Sequence, residues 1–418
     1  MGLKGLLGEK IIVGYDLANS CCQISYCSVR ENSEVETISS AAGEENYDIP
    51  TVLCKRRGVN QWLYGKEAQR YVQEYPEEGI LVEGLLDMAL AGEEVWIDGQ
   101  SYNPVALLTL FVKRSLGMLS GVTHSSKITA LMLTSQKLDS RMVQVLGQIT
   151  KGLALKNTEV FFQNYTESFY YYMIYQPEEL WAYQTLLLDY RGEQLCYYKM
   201  ECNKRTTPIV AYIHEESRAF AGGDEGLLEI ARELCHNTVI SSVYLIGEKF
   251  SGDWMNESLK YLCRGRRVFQ GNNLYSKGAV FSLLERIYGS EIGKNYVFLG
   301  NDKLKANIGM RVLNHDTENY YALLDAGSNW YETGYSLEFY LKKENDIELV
   351  VTHLTDETVK VLRMKLEELS LEKNDVTKVY MKLYLSAENT LCVEVRDLGF
   401  GEIRKSLDKS WREEFILY

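Results

Sequence analysis

Three apolar runs, each stopping at an acid or a glycine, constrain this chain more than any other feature. Ile11-Ile12-Val13 runs into Asp16 within GYDLANSCCQISY (residues 14–26). Leu186-Leu187-Leu188 runs into Asp189 within TLLLDYRGEQLCYY (185–198), and VYLIGEKF (243–250) brings up Gly247. Short apolar runs bounded by turn signals read as buried strands. An acid or glycine at such an end marks a tight turn, where backbone N–H groups are free to meet an anion. Around these runs, strand and helix patterns alternate in two rounds. The first has strands at 11–16 and 22–29, a helix at 66–73, and a helix opened by Asn103-Pro104. The second has a strand at 127–136, a helix capped by Asp139, a strand at 158–162 and a helix at 165–175. Two strands in 185–200, a helix at 226–236, a strand at 239–246 and helices at 256–262 and 278–287 complete it. This order predicts an α/β domain with open sheets.

From residue 295 the pattern changes to alternating strand-like runs separated by turn signals, which predicts an antiparallel β-sandwich. The tail, 402–418, places Ile403, Leu407 and Trp411 at helical spacing and predicts a terminal amphipathic helix. The chain of 418 residues therefore divides into 1–130, 131–294 and 295–418. A net charge of -13 argues against general nucleic-acid binding, which needs a basic surface. The short basic runs 55–57 and 264–267 read as solvated loop ends. No run approaches the length of a membrane helix, and residues 1–10 are too short in apolar content for a secretory signal. Gly2 begins like an acylation site, but Leu6 stands where that motif needs Ser or Thr. Nine cysteines without CxxC spacing imply free thiols and a cytoplasmic protein. Thirty tyrosines, including Tyr170-Tyr171-Tyr172, read as sheet and interface packing.

Taken together, the three strand ends resemble the two phosphate motifs and the adenosine motif of the actin-like ATPase superfamily. The likeness is greatest to DnaK-type heat-shock chaperones. IPTV (49–52), YGKEA (64–68), the 127–155 strand and helix, and the 268–283 segment follow in that family's order and spacing. The resemblance implies a two-lobed actin-like fold, lobe I in 1–130 and a reduced lobe II in 131–294, followed by a sandwich similar to the chaperones' peptide-binding domain. It also implies ATP and magnesium as cofactors. A nucleotide would meet Asp16, Ala18, Asn19, Ser20, Asp189, Arg191, Gly192, Gly247 and Glu248, with Asp16 and Asp189 holding hydrated magnesium.

Several positions depart from the family. Ala18 replaces a loop glycine and Asn19-Ser20 a hydroxyl pair. Only Gly192 remains of the second glycine run, with Tyr190, Arg191 and Glu193 beside it. Asn164 stands at the catalytic glutamate and Gln69 near the phosphate-contacting lysine, with Lys66 close by. Between Asp189 and Gly247 there is room for two strands and a helix but not for the inserted subdomain that completes the family's adenine pocket. Arg191 could stand in for a metal's charge. The expectation is a non-hydrolysing, chaperone-like binding or scaffold protein engaging a protein or peptide partner. The alternative is a slow magnesium-dependent ATPase; a filament subunit is a third reading, and a sugar kinase is disfavoured.

Overall fold

The structure is a computed structural model. It describes residues 10–29, 34–40, 46–122, 127–271, 273–314, 317–342, 345–354, 358–369, 371 and 375–418. The Gly2 and leader readings lie outside the described residues. The chain is mixed α/β with an antiparallel, β-rich C-terminal region, and it divides into two compact units, Met1–Phe298 and Leu299–Tyr418.

Two sheets organise the first unit. The first is built from β1 (Lys10–Leu17), β2 (Cys21–Ser28), β3 (Glu36–Thr37), β4 (Lys127–Ser135) and β5 (Glu159–Asn164), in the order β5-β4-β1-β2-β3. The two-residue strand Ile49–Pro50 also pairs with β2. The second sheet is built from β6 (Gln184–Arg191), β7 (Gln194–Asn203), β8 (Ile209–Ala219), β9 (Ile240–Ile246), β10 (Arg267–Gln270) and β11 (Tyr296–Phe298), in the order β10-β9-β6-β7-β8-β11. Five strands of each sheet follow one plan. The leading strand, β1 or β6, pairs antiparallel with the next strand in sequence and parallel with β4 or β9 on its other side. Nearly every residue of β1 and β6 is buried, which is why both read as unbroken apolar runs.

The helices that matter for the cleft are α1 (Leu85–Ala91), α2 (Ser140–Leu153), α3 (Tyr165–Ile174), α4 (Asp224–Leu234), α5 (Glu257–Leu262) and α6 (Leu274–Tyr288). Asp139 caps α2 through the Met142 N–H at 2.8 Å, as the sequence predicts. α3 and α6 pack against each other, and α6 also lies on β1, β2 and β4. Glycine makes both approaches possible: a Cβ at Gly278 would run into the Ser168 carbonyl, and one at Gly14 into the Ser276 carbonyl. Phe169 and Tyr170 join the core formed by α3, α6 and the second sheet. The basic run 55–57 is a loop end only at Arg57, which opens an exposed turn. Lys55 is buried in the strand Leu53–Arg56, and its ammonium lies 5.9 Å from the ring centres of both Trp62 and Tyr102.

The second unit holds two four-stranded antiparallel sheets. One orders β13 (Thr317–Leu324), β12 (Ala306–Asn314), β15 (Asp346–His353) and β16 (Val359–Lys365); the other orders β14 (Gly334–Lys342), β17 (Val376–Ala387), β18 (Thr390–Gly399) and β19 (Ser410–Ile416). The predicted terminal helix does not form. Residues 410–416 are the edge strand β19, with Trp411 opposite Val395 and Phe415 opposite Leu391. Ile403 is 83% exposed and Leu407 also faces solvent, so the helical spacing has no apolar face to bury. The open edge of β18 offers the tail a full ladder of hydrogen bonds instead.

Candidate functional site

The cleft is assembled where β1 and β6 end. Asp16 and Asp189 are 1% and 4% exposed. Each accepts a hydrogen bond from a tyrosine at the start of a helix. Tyr165, the first residue of α3, donates to Asp16 Oδ1 at 2.7 Å, and Tyr275, near the start of α6, donates to Asp189 Oδ2 at 3.0 Å. The two rings stack at 3.7 Å between centroids. The Arg191 guanidinium lies 5.6 Å from the centre of each ring, and its Nε donates to Asp189 Oδ1 at 2.9 Å. One cation thus serves two buried acids through a paired aromatic wall.

Burial is the main perturbation of both acids. It pushes the Asp16 carboxyl up to about 6, with Arg191 and the Tyr165 hydroxyl pulling it back. Asp189 is raised for the same first reason, against Arg191 and Tyr275. The attraction of Asp189, Tyr165 and Asp16 outweighs burial at Arg191 and keeps that side chain charged. Burial also pushes the Cys21 thiol up to about 12, so it supplies no thiolate at neutral pH.

The turn groups are occupied by the protein's own carboxylates and amides. The Gly192 N–H, at the tip of the β6–β7 hairpin, donates to Glu248 Oε1 at 2.8 Å. Glu248 follows Gly247, whose φ of 103° and contact with the Tyr190 carbonyl leave no space for a side chain. At the β1–β2 turn, Asn19 donates to Asp87 Oδ2 at 2.7 Å and accepts the Asp87 N–H at 3.3 Å. Asp87 belongs to α1, a seven-residue helix between Gly84 and Gly92 that pattern reading did not isolate. The paired glycines were its only sequence signal.

The cleft holds two cavities. The larger, about 850 Å³, is lined by Ala18, Asn19, Ser20, Asp189, Arg191 and Gly192 among others; the smaller, about 630 Å³, by Arg191, Gly247 and Glu248 with residues of β2 and α6. Arg191 and Glu248 belong to both and mark their boundary. Every expected site residue except Asp16 lines one of them, and Asp16 is reached through Tyr165. Lys66 and Gln69 lie on the helix Gly65–Glu74 and line neither cavity. Asn164 caps α3, its side chain accepting the Glu167 N–H at 2.8 Å. These residues do not fit magnesium-ATP. A guanidinium pairs with one acid and faces the other, and Glu248 takes the turn N–H that a phosphate oxygen would need. Among the described residues no group of three His, Cys, Asp or Glu side chains could hold a metal ion. No helix among them is long and apolar enough to cross a membrane.

A family of unknown function, DUF5716, matches through its C-terminal model over residues 34–301. The chain belongs to this family. A domain of unknown function, DUF8552, matches residues 303–417, and the DUF5716 match ends close to the division at Phe298. Asp189, Arg191, Gly247 and Glu248 lie inside the DUF5716 match, whereas Asp16 and the Ala18–Ser20 turn precede it. No curated protein matches the chain.

Proposed function

We propose that this chain is a non-hydrolysing relative of the DnaK-type chaperones, with a two-lobed actin-like fold and a C-terminal β-sandwich. It works as a binding or scaffold protein for a protein or peptide partner. The shared strand plan of the two sheets supports the two-lobed reading, with an acid ending the leading strand of each. Room for only two strands and a helix between Asp189 and Gly247, filled by β7, β8 and α4, supports a reduced second lobe.

The observation that carries the loss of hydrolysis is Arg191. Its guanidinium pairs with Asp189 and faces Asp16 through stacked tyrosines, which removes the need for a divalent cation. Asn164 has no titratable proton for acid–base work, and its side-chain oxygen caps α3. The slow-ATPase alternative needs Arg191 to leave both acids. The test is calorimetry and phosphate release with magnesium and ATP on the full chain. Neither heat nor turnover is expected. Magnesium-dependent turnover that disappears in Asp16→Asn would overturn the reading.

A further inference from the structure

We infer that the smaller cavity of the cleft binds a small zwitterion of the amino-acid type. Three side-chain amides on its wall are oriented alike. Gln23 gives its nitrogen to Asp48 at 2.6 Å, Gln270 gives its nitrogen to the Phe250 carbonyl at 2.7 Å, and Asn273 gives its nitrogen to Thr37 Oγ1 at 3.0 Å. Each has its nitrogen anchored by protein, which leaves the carbonyl oxygen as the free acceptor of the amide. Gln23 is the most telling, because it is only 2% exposed and its Oε1 has no partner among the described residues. Turning the amide over would set oxygen against the Asp48 carboxylate, so its orientation is fixed. A buried acceptor without a partner calls for a donor, and the cavity that Gln23 lines is where one would enter. With Asp48 beside it, the wall offers an anion and amide oxygens to an ammonium group, whose three N–H bonds need three acceptors.

The same cavity carries the complementary charge. Lys277 on α6 lines it, and its ammonium has no hydrogen-bond or ion-pair partner among the described residues. Arg191 lines it too, and its bond to Asp189 uses Nε, leaving the ends of the fork for a carboxylate. Among the described residues of the wall, two cations, Arg191 and Lys277, balance two carboxylates, Asp48 and Glu248. A balanced wall suits a molecule with separated charges and no net charge, and it opposes a polyanion such as a nucleoside triphosphate. The volume of about 630 Å³ is within the range of small-molecule sites.

This inference does not depend on the loss of hydrolysis. The probes are the common L-amino acids, each at millimolar concentration, added to the full chain and read by melting temperature and then by calorimetry. At least one raises the melting temperature and binds saturably. Lys277→Met and Gln23→Met each weaken that binding by about tenfold or more. Lys277 is only partly buried, so its variant keeps the fold even if the Gln23 variant does not. The inference is overturned if no amino acid shifts the wild-type protein, or if Lys277→Met binds as tightly as wild type. Magnesium-ATP on the same samples reports on hydrolysis separately, since a heat with ATP leaves the amino-acid result standing.

Discussion

Replacing Arg191 by Met removes the positive charge that stands against two buried carboxylates. Deleting one partner of a buried pair costs roughly 3–5 kcal/mol. The Arg191 side chain keeps 21% exposure, so the lower end applies, about 3 kcal/mol by denaturant unfolding at neutral pH. The loss should shrink once the pH falls below about 6, where Asp16 takes up a proton. Asp16 itself acts in the other direction. Its folded-state pKa of about 6 lies above the ordinary 3.8, so the folded state holds the proton more tightly. Its contribution is complete below the unfolded value and is lost as the pH rises through the folded one. Asp16→Asn keeps an oxygen for Tyr165 and abolishes that loss. The variant should melt above wild type in mild alkali, and the gap should close in acid; a wild-type advantage in alkali would contradict this account. The two acids were legible because a charge ending an apolar run is conspicuous. Tyr165 and Tyr275 were not, since two among thirty tyrosines look like packing. Their only signal is that each begins a helix opposite an acid, a relation that exists in space and not in spacing.

At the scale of elements, the sequence signals were strongest where one residue does one local job. Asp139 and Asn164 cap the helices that follow them. Asp224 does a non-local job. The Gly222-Gly223 pair, both at positive φ, turns the chain into α4, and the Asp224 carboxylate then accepts the N–H groups of Asn256, Glu257 and Ser258. Asp224 stands in the first turn of its own helix and is the anion for the start of α5. The Ser258 hydroxyl, which also donates to Asp224, and these backbone bonds hold its carboxyl down to about 2. The stabilisation is therefore present above the ordinary carboxylate range and is lost as the pH falls toward 2. Asp224→Ala should speed amide hydrogen exchange at Asn256, Glu257 and Ser258 at neutral pH while leaving the β6 amides protected. Unchanged exchange at those three residues would remove the cap. The misread tail belongs to this scale too: Ile403, Leu407 and Trp411 fit a helical period, but an unpaired β18 edge decided the outcome.

At the scale of the whole molecule, the β-rich region after Phe298 carries its own apolar interior. Ile308, Val351, Leu362, Val379, Leu383, Val393 and Val395 are all buried, on strands from both of its sheets. Domains with a separate core fold alone as a rule. About 120 residues is also enough to bury most of the apolar surface that the unfolded chain exposes. Expressed as residues 299–418, this region should give a strand-type far-UV spectrum and one cooperative thermal transition. Trp330, Trp411 and the closing Leu417 make the readout sharper. Trp330 and Leu417 are buried, and the Trp411 indole donates to the Glu367 carbonyl at 3.0 Å, which ties β19 to the turn after β16. Ending the chain at residue 408 would strip β19 from the edge of β18 and expose Leu391 and Val395 opposite it. The shortened piece should lose the transition or bind a hydrophobic dye. If it melts like residues 299–418, the tail adds nothing to this core, and the strand assignment loses its energetic basis.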